Sequence, residues 1–329
     1  MELVLCNHSS YPRIGDDTEH QVLRRTIAQH DKGEKTEDAV RAAQDRMTEL
    51  ALAEQEEAGL DLVTDGQIRW LDPISHLAAK LSGVRVNGLL RFFDTNFYFR
   101  QPVVQGKLER TKPLLVEEFK FAKEKSTRSV KAVLTGPYTL ARYSVEEKGG
   151  AGGFDKMLEG YTAALAAEVA ALAAAGATVI QVEEPALLKY PDDFPRLEQS
   201  LTALAMSKDS AQLALVLYFG DPAPIYDHLQ TLPVDLLGFD FTYNPGLVDR
   251  IASNGTARTL VLGLVDGRNT RLEDPAATAR QLEKLARGAD LSRAYLSPSC
   301  GLEFLPRDRA RQKLKHLAVI RNTLLGSSA

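Results

Sequence analysis

Short runs rich in aliphatic and β-branched residues recur along this chain at 3–8, 60–64, 130–135, 178–182, 213–218, 236–240, 259–264 and 293–297. Between them the apolar residues change to helical spacing at 37–58, 155–175, 194–207, 274–286 and 308–325. Consecutive parallel strands need a crossover, usually a helix, so this alternation predicts βαβ units. Eight such strands in 329 residues predict an α/β fold of the (β/α)8 TIM-barrel class, as one domain over 1–329. The rival is a doubly wound open sheet. It is disfavoured because no Gly-x-Gly-x-x-Gly follows the first strand. Residues 84–108 break the alternation with two strand-like, aromatic-rich runs. They predict an excursion or hairpin over one mouth of the barrel, with Phe92 and Phe97 as packing residues. The glycine cluster at 149–153 predicts a mobile loop.

Composition narrows the partners. A net charge of −4 argues against nucleic-acid binding as the main role. Cys6 and Cys300 are the only cysteines and lie far apart, which predicts a reducing, cytoplasmic setting rather than a disulfide framework. The N-terminus lacks the basic start and long apolar core of a signal peptide. The alanine-rich stretch 163–177 is interrupted by Glu168 and reads as too short and too weakly apolar for a membrane span.

In this architecture the chemistry sits at the C-terminal ends of the strands. Polar and small residues collect there: His8-Ser9-Ser10-Tyr11-Pro12, Thr64-Asp65-Gly66-Gln67, Gly136-Pro137-Tyr138-Thr139, Gln181-Val182-Glu183-Glu184-Pro185-Ala186, Asp240, Val265-Asp266-Gly267-Arg268 and Pro298-Ser299-Cys300-Gly301-Leu302. A thiol at a strand end, followed by a glycine, suits a metal ligand or a nucleophile. No Cys-x-x-Cys or His-x-Cys pair accompanies Cys300.

Taken in order, Ser-Tyr-Pro, Asp-Gly-Gln, Gly-Pro-Tyr-Thr, Gln-Val-Glu-Glu-Pro-Ala, Gly-Leu-Val-Asp and Pro-Ser-Cys-Gly-Leu resemble the cobalamin-independent methionine synthase family. The resemblance is to its catalytic barrel in the short core form, and it spans nearly the whole chain. It implies methyl transfer from a methyl-pterin or methyl-corrinoid donor to a small thiol, homocysteine in the family. A corrinoid protein is then a conceivable partner.

The resemblance also implies site residues. Ser10 matches a serine at the substrate carboxylate. Gln67 and Glu183 stand where the family places a glutamate and an aspartate against the substrate ammonium. Tyr143 stands at a tryptophan that stacks on the pterin. Asp266 and Arg268 stand where an acid–base group lies near the methyl donor. The family holds zinc with His-x-Cys after strand five, Glu after strand six and Cys after strand eight. In this chain those positions read as Leu215-Val216-Leu217, Asp240 and Cys300. The ligand set is incomplete.

Three readings follow. Zinc could persist in a shifted site built from Cys6, His8, Asp240 and Cys300, since Cys6 and His8 lie two apart on one strand face. The pocket could serve a metal-free enzyme, a methyltransferase or a lyase/transferase adding a thiol to a small electrophile. Or the barrel could be a non-catalytic binding paralogue. The incomplete ligand set predicts a poor methionine synthase without tightly bound zinc in the usual place.

Overall fold

A computed structural model describes residues 3–326. It contains twelve strands: β1 Val4–Leu5, β2 Leu62–Val63, β3 Ser82–Arg91, β4 Tyr98–Glu109, β5 Ser129–Val130, β6 Ala132–Thr135, β7 Val145–Glu146, β8 Val179–Glu183, β9 Gln212–Leu217, β10 Leu236–Asp240, β11 Thr259–Val265 and β12 Tyr295–Pro298. Seven of them form a curled parallel sheet in the order β1-β12-β11-β10-β9-β8-β6. The order follows the chain without reversal, so the sheet has no doubly wound switch point. A separate parallel pair joins β2 to β5. Cys6 bridges to Leu62, linking β1 to β2, and the N–H of Lys131, the residue between β5 and β6, donates to Val63 O of β2 at 2.8 Å.

Every run expected to be a strand lies at one of these positions. The β-branched sequences suit the pleat, and the central strands are buried apart from Gln212 at the start of β9, as two-sided packing requires. The inner face of the sheet alternates with the outer one. Cys6, Leu62, Val179, Ala214, Leu236 and Val261 pack together as its floor.

The excursion is an antiparallel hairpin of β3 and β4, with β7 paired to β4. Its tip reaches the mouth, where Phe93 lies 5.5 Å from Phe219 and Phe97 lies 4.9 Å from Phe304, centroid to centroid. Its base is tied down by Glu168. That buried carboxylate accepts from Leu114 N, Leu115 N and Arg110 Nε.

The alanine-rich helix runs Phe154–Ala174, within one residue of the expected span at each end. By length and composition alone it could cross a membrane. Met157, Leu158, Tyr161, Leu165, Val169 and Leu172 bury one side of it in the core.

Candidate active site

The mouth is built where the inner-face residues of the strands run out into loops. After β1 the chain turns inward with His8, Ser9 and Ser10, all buried. Thr64 fastens this turn. Its hydroxyl donates to Ser9 O at 2.6 Å and accepts from Asn7 Nδ2 at 2.9 Å. His8 Nδ1 lies 2.9 Å from Ser9 Oγ and 3.3 Å from Glu183 Oε1. Glu183 ends β8 and also accepts from Tyr218 OH and Gln181 Nε2, both at 2.9 Å. Burial raises this carboxyl, but bonds from His8, Ser9 and Tyr218 outweigh it and hold the group below the ordinary range. Tyr218 is pushed well above its ordinary value, by burial and by Glu183. The result is a fixed anion at the mouth with a neutral phenol against it.

On the opposite side, Asp240 ends β10. Its Oδ1 accepts from Thr242 N, Thr242 Oγ1 and Tyr243 N at 2.7–3.0 Å. Its Oδ2 is buried without a partner. The Cys300 thiol is pushed well above its ordinary range, by burial and by the negative field of Asp240, with Arg268 opposing. It is therefore a neutral thiol near pH 7, a weak ligand and a weak nucleophile. Arg268 spreads over the rings of Phe219 and Tyr243, 5.0 and 4.8 Å from their centroids, with Nε unbonded. Asp266 Oδ1 accepts the Arg268 backbone N–H at 2.9 Å. The neighbouring Glu273 pairs with Lys313 instead of Arg268.

Gln67 lies beside Ser10 in a narrow cleft. Its left-handed backbone, φ 52°, is held by the bond from its own N–H to Asp65 Oδ1 at 3.0 Å. Glu184 turns away from the mouth. It accepts from Tyr138 N, Thr139 N and Thr139 Oγ1 at the start of helix Pro137–Tyr143. Gly136 permits this. A β-carbon there would fall 2.1 Å from Glu184 Oε1.

The profile described as the catalytic domain of cobalamin-independent synthase matches residues 9–322. The chain belongs to this family. A methionine synthase of Sulfurisphaera tokodaii is 31% identical over 318 residues, covering 94% of this chain and 88% of the relative. One from Saccharolobus solfataricus is 29% identical, covering 93% and 90%. A B12-independent methionine synthase from Shewanella, solved with selenomethionine, superposes with a TM-score of 0.81 at 20% identity, covering 99% of this chain and all of that one. A methyltransferase from Methanosarcina mazei superposes at 0.64. The fold is thus of the TIM-barrel type, and the protein is a methionine-synthase-like methyltransferase.

Within this family the structure revises several expectations. Leu215 and Leu217 do not occupy the His-x-Cys positions. Ala214 packs on the inner floor, so Val216 and Tyr218 share its face while Leu215 and Leu217 point to the helix layer. Neither Val216 nor a neutral, hydrogen-bonded Tyr218 replaces a histidine–cysteine pair. Asp240 and Cys300 remain on their own. Among the described residues no three His, Cys, Asp or Glu side chains are grouped to hold a metal. The residues present do not fit the family's zinc.

The shifted site fails on depth. Cys6 lies in the apolar floor beside Lys131, well below the mouth where His8 meets Glu183. Tyr143 does not stand open for stacking either. It packs against Phe93, Phe99 and Phe92 of the hairpin, at 5.4, 5.2 and 6.1 Å between centroids. The sequence reading missed Tyr218, Arg13 and Glu303 at this mouth. Strict alternation along β9 from Ala214 would have found Tyr218.

Proposed function

We propose that this protein moves a methyl group from a methyl-pterin to the thiol of homocysteine or a closely similar amino-acid thiol. We also read the eight inner strands as closing into one (β/α)8 barrel that spans the chain, with the reaction in the cytoplasm. The Cys6–Leu62 bridge and the β2–β5 pair support closure, since they span the gap between β1 and β6. Two unpaired cysteines support a reducing setting.

The observation that carries the acceptor assignment is the anchored Glu183 at a mouth that also holds the unpartnered Ser10 hydroxyl. His8, Gln181 and Tyr218 leave the Glu183 carboxylate ionised and fixed, ready for an ammonium. Ser10 offers a buried, unpartnered hydroxyl to the acceptor at the same mouth. In the reaction the thiol sulfur bonds to the methyl carbon as the methyl–nitrogen bond of the pterin breaks. The thiol proton ends on that nitrogen. Arg268 and Asp266, beyond Phe219, are the groups we assign to the donor side. The Arg268 guanidinium favours the thiolate through its charge. It does so less strongly than a bound metal would, so we expect slow turnover.

The test is methionine formation from isotopically labelled methyl-tetrahydrofolate and homocysteine, with and without added zinc, beside a zinc-containing relative. We expect methionine at a rate well below the relative's, no gain from zinc, and substoichiometric zinc by elemental analysis. Absence of labelled methionine under every condition would overturn the assignment of donor and acceptor. Zinc-stimulated turnover comparable with the relative would restore the metal.

A further inference from the structure

A second acid stands at this mouth. Glu303 follows Cys300-Gly301 in the short turn Leu302–Phe304 and lines the cleft with Ser10, Arg13, Gln67 and Asp72. Gly301 reports how close the groups are. A β-carbon placed on it would lie 2.0 Å from Ser10 Oγ and 3.1 Å from Glu303 Oε2. The hydroxyl and the carboxylate therefore border the same small space.

Neither group is satisfied within the chain. Ser10 is 4% exposed and its Oγ has no partner. The Glu303 carboxyl receives only its own backbone N–H. Arg13 reaches it through charge alone. The Arg13 guanidinium is bonded to the carbonyls of Trp70 and Leu71. Buried polar groups are almost always partnered, so the free Ser10 hydroxyl, beside the half-buried carboxyl of Glu303, points to a missing ligand. Two acids, Glu183 and Glu303, make that ligand a cation. An ammonium has three donors and no acceptor, which suits a carboxylate, a hydroxyl and a second carboxylate nearby.

We infer that Glu303 is a specificity residue that receives the α-ammonium of the acceptor, with Ser10 Oγ beside it. The inference rests on the amino-acid acceptor proposed above and adds the group that selects it. A thiol without an amino group would leave Glu303 unpaired and would bind poorly.

A pH signature follows. The charged or titratable groups around Glu303 are Glu183, Arg13, Tyr218 and Cys300, with Asp72 behind Arg13. Tyr218 and Cys300 stay neutral near pH 7. Burial, then Glu183, push Glu303 up to about 8, against Arg13. In the empty cleft it is mostly protonated at neutral pH, whereas a bound ammonium favours its ionised form. Binding then releases a proton, and affinity rises by up to about tenfold per pH unit until the pH reaches that value.

Equilibrium binding of homocysteine and of its des-amino analogue, 4-mercaptobutanoate, tests this in wild type, Glu303→Gln and Glu303→Asp. We expect Glu303→Gln to weaken homocysteine by about tenfold to a hundredfold, to leave the analogue unchanged and to flatten the pH dependence. Glu303→Asp should recover part of the loss, and matched thermal melts confirm that the variants fold. Equal homocysteine affinity in wild type and Glu303→Gln, or equal loss of both ligands, overturns the inference even if methionine is made. If wild type ignores homocysteine yet binds another α-amino acid with the same Glu303 dependence, the acceptor assignment falls and the role of Glu303 stands.

Discussion

The inner face of the sheet has a floor and a mouth, built from the same strands two or four residues apart. At the floor, Cys6, Leu62, Val179, Ala214, Leu236 and Val261 pack on one another. The basic side chain buried there, Lys131, is partnered. Its Nζ donates to Asn7 O at 2.9 Å and to Gln181 Oε1 at 2.5 Å. At the mouth, His8 Nε2, Ser10 Oγ and Asp240 Oδ2 are equally buried and have no partner. A buried polar atom without a partner costs about 1–3 kcal/mol. The floor avoids that cost and the mouth carries it several times over. Adjacent glutamates differ in what their partners hold. Glu184 is saturated by backbone and hydroxyl donors of the scaffold, while Glu183 takes its bonds from His8, Gln181 and Tyr218 at the mouth. Saturated scaffold groups here hold the fold, and unpartnered mouth groups await a ligand.

Removing a saturated group should damage the fold most. Glu184→Ala leaves Tyr138 N–H, Thr139 N–H and the Thr139 hydroxyl unpaired, so we expect a stability loss of about 3–5 kcal/mol by urea denaturation. A loss below about 1 kcal/mol would break the distinction between the two glutamates.

The same residue gives a pH test. Burial pushes Glu184 up to about 7 from 4.5, against its hydrogen bonds. Its folded value lies above the unfolded one. The associated stability is therefore complete below about pH 4.5 and is lost as pH rises through about 7. Relative to Glu184→Gln, wild type should lose about 3 kcal/mol across that window. Parallel curves for the two proteins would show that Glu184 does not titrate there.

The aromatic cluster under the hairpin lies between floor and mouth in character. Tyr143→Ala should weaken methyl-pterin binding by about 1–2 kcal/mol if the hairpin yields to the pterin. Unchanged affinity, measured by fluorescence titration, would make Tyr143 purely a packing residue of the cluster.

Ser10→Ala should separate the two regions most finely. With no partner lost, stability should stay within about 0.5 kcal/mol. Acceptor affinity should fall by about 1 kcal/mol, read by calorimetry. A destabilised variant with normal affinity would move Ser10 from the mouth to the scaffold.

Much of this was legible in the chain. Eight apolar runs and the helical spacing between them announced the parallel sheet, because strand and helix periods differ and each run carries its own. The strand-end motifs announced the family, and with it Ser10, Glu183, Asp240 and Cys300 as candidates. What the sequence could not determine was which way neighbouring residues point and how deep they lie. A slip of one residue reverses every side chain on a strand. By sequence alone Leu215 and Leu217 fit inner positions that belong to Val216 and Tyr218. Cys6 and His8 share a face, but only the register of β1 against β12 puts one in the floor and the other at the mouth. Tyr143 could be read as open until the hairpin, some forty residues earlier, folded over it. Glu303 and Ser10 are nearly three hundred residues apart, and no local pattern pairs them. Their meeting around Gly301 was decided by the tertiary structure alone, because strand pairing across the sheet sets distances that chain spacing does not encode.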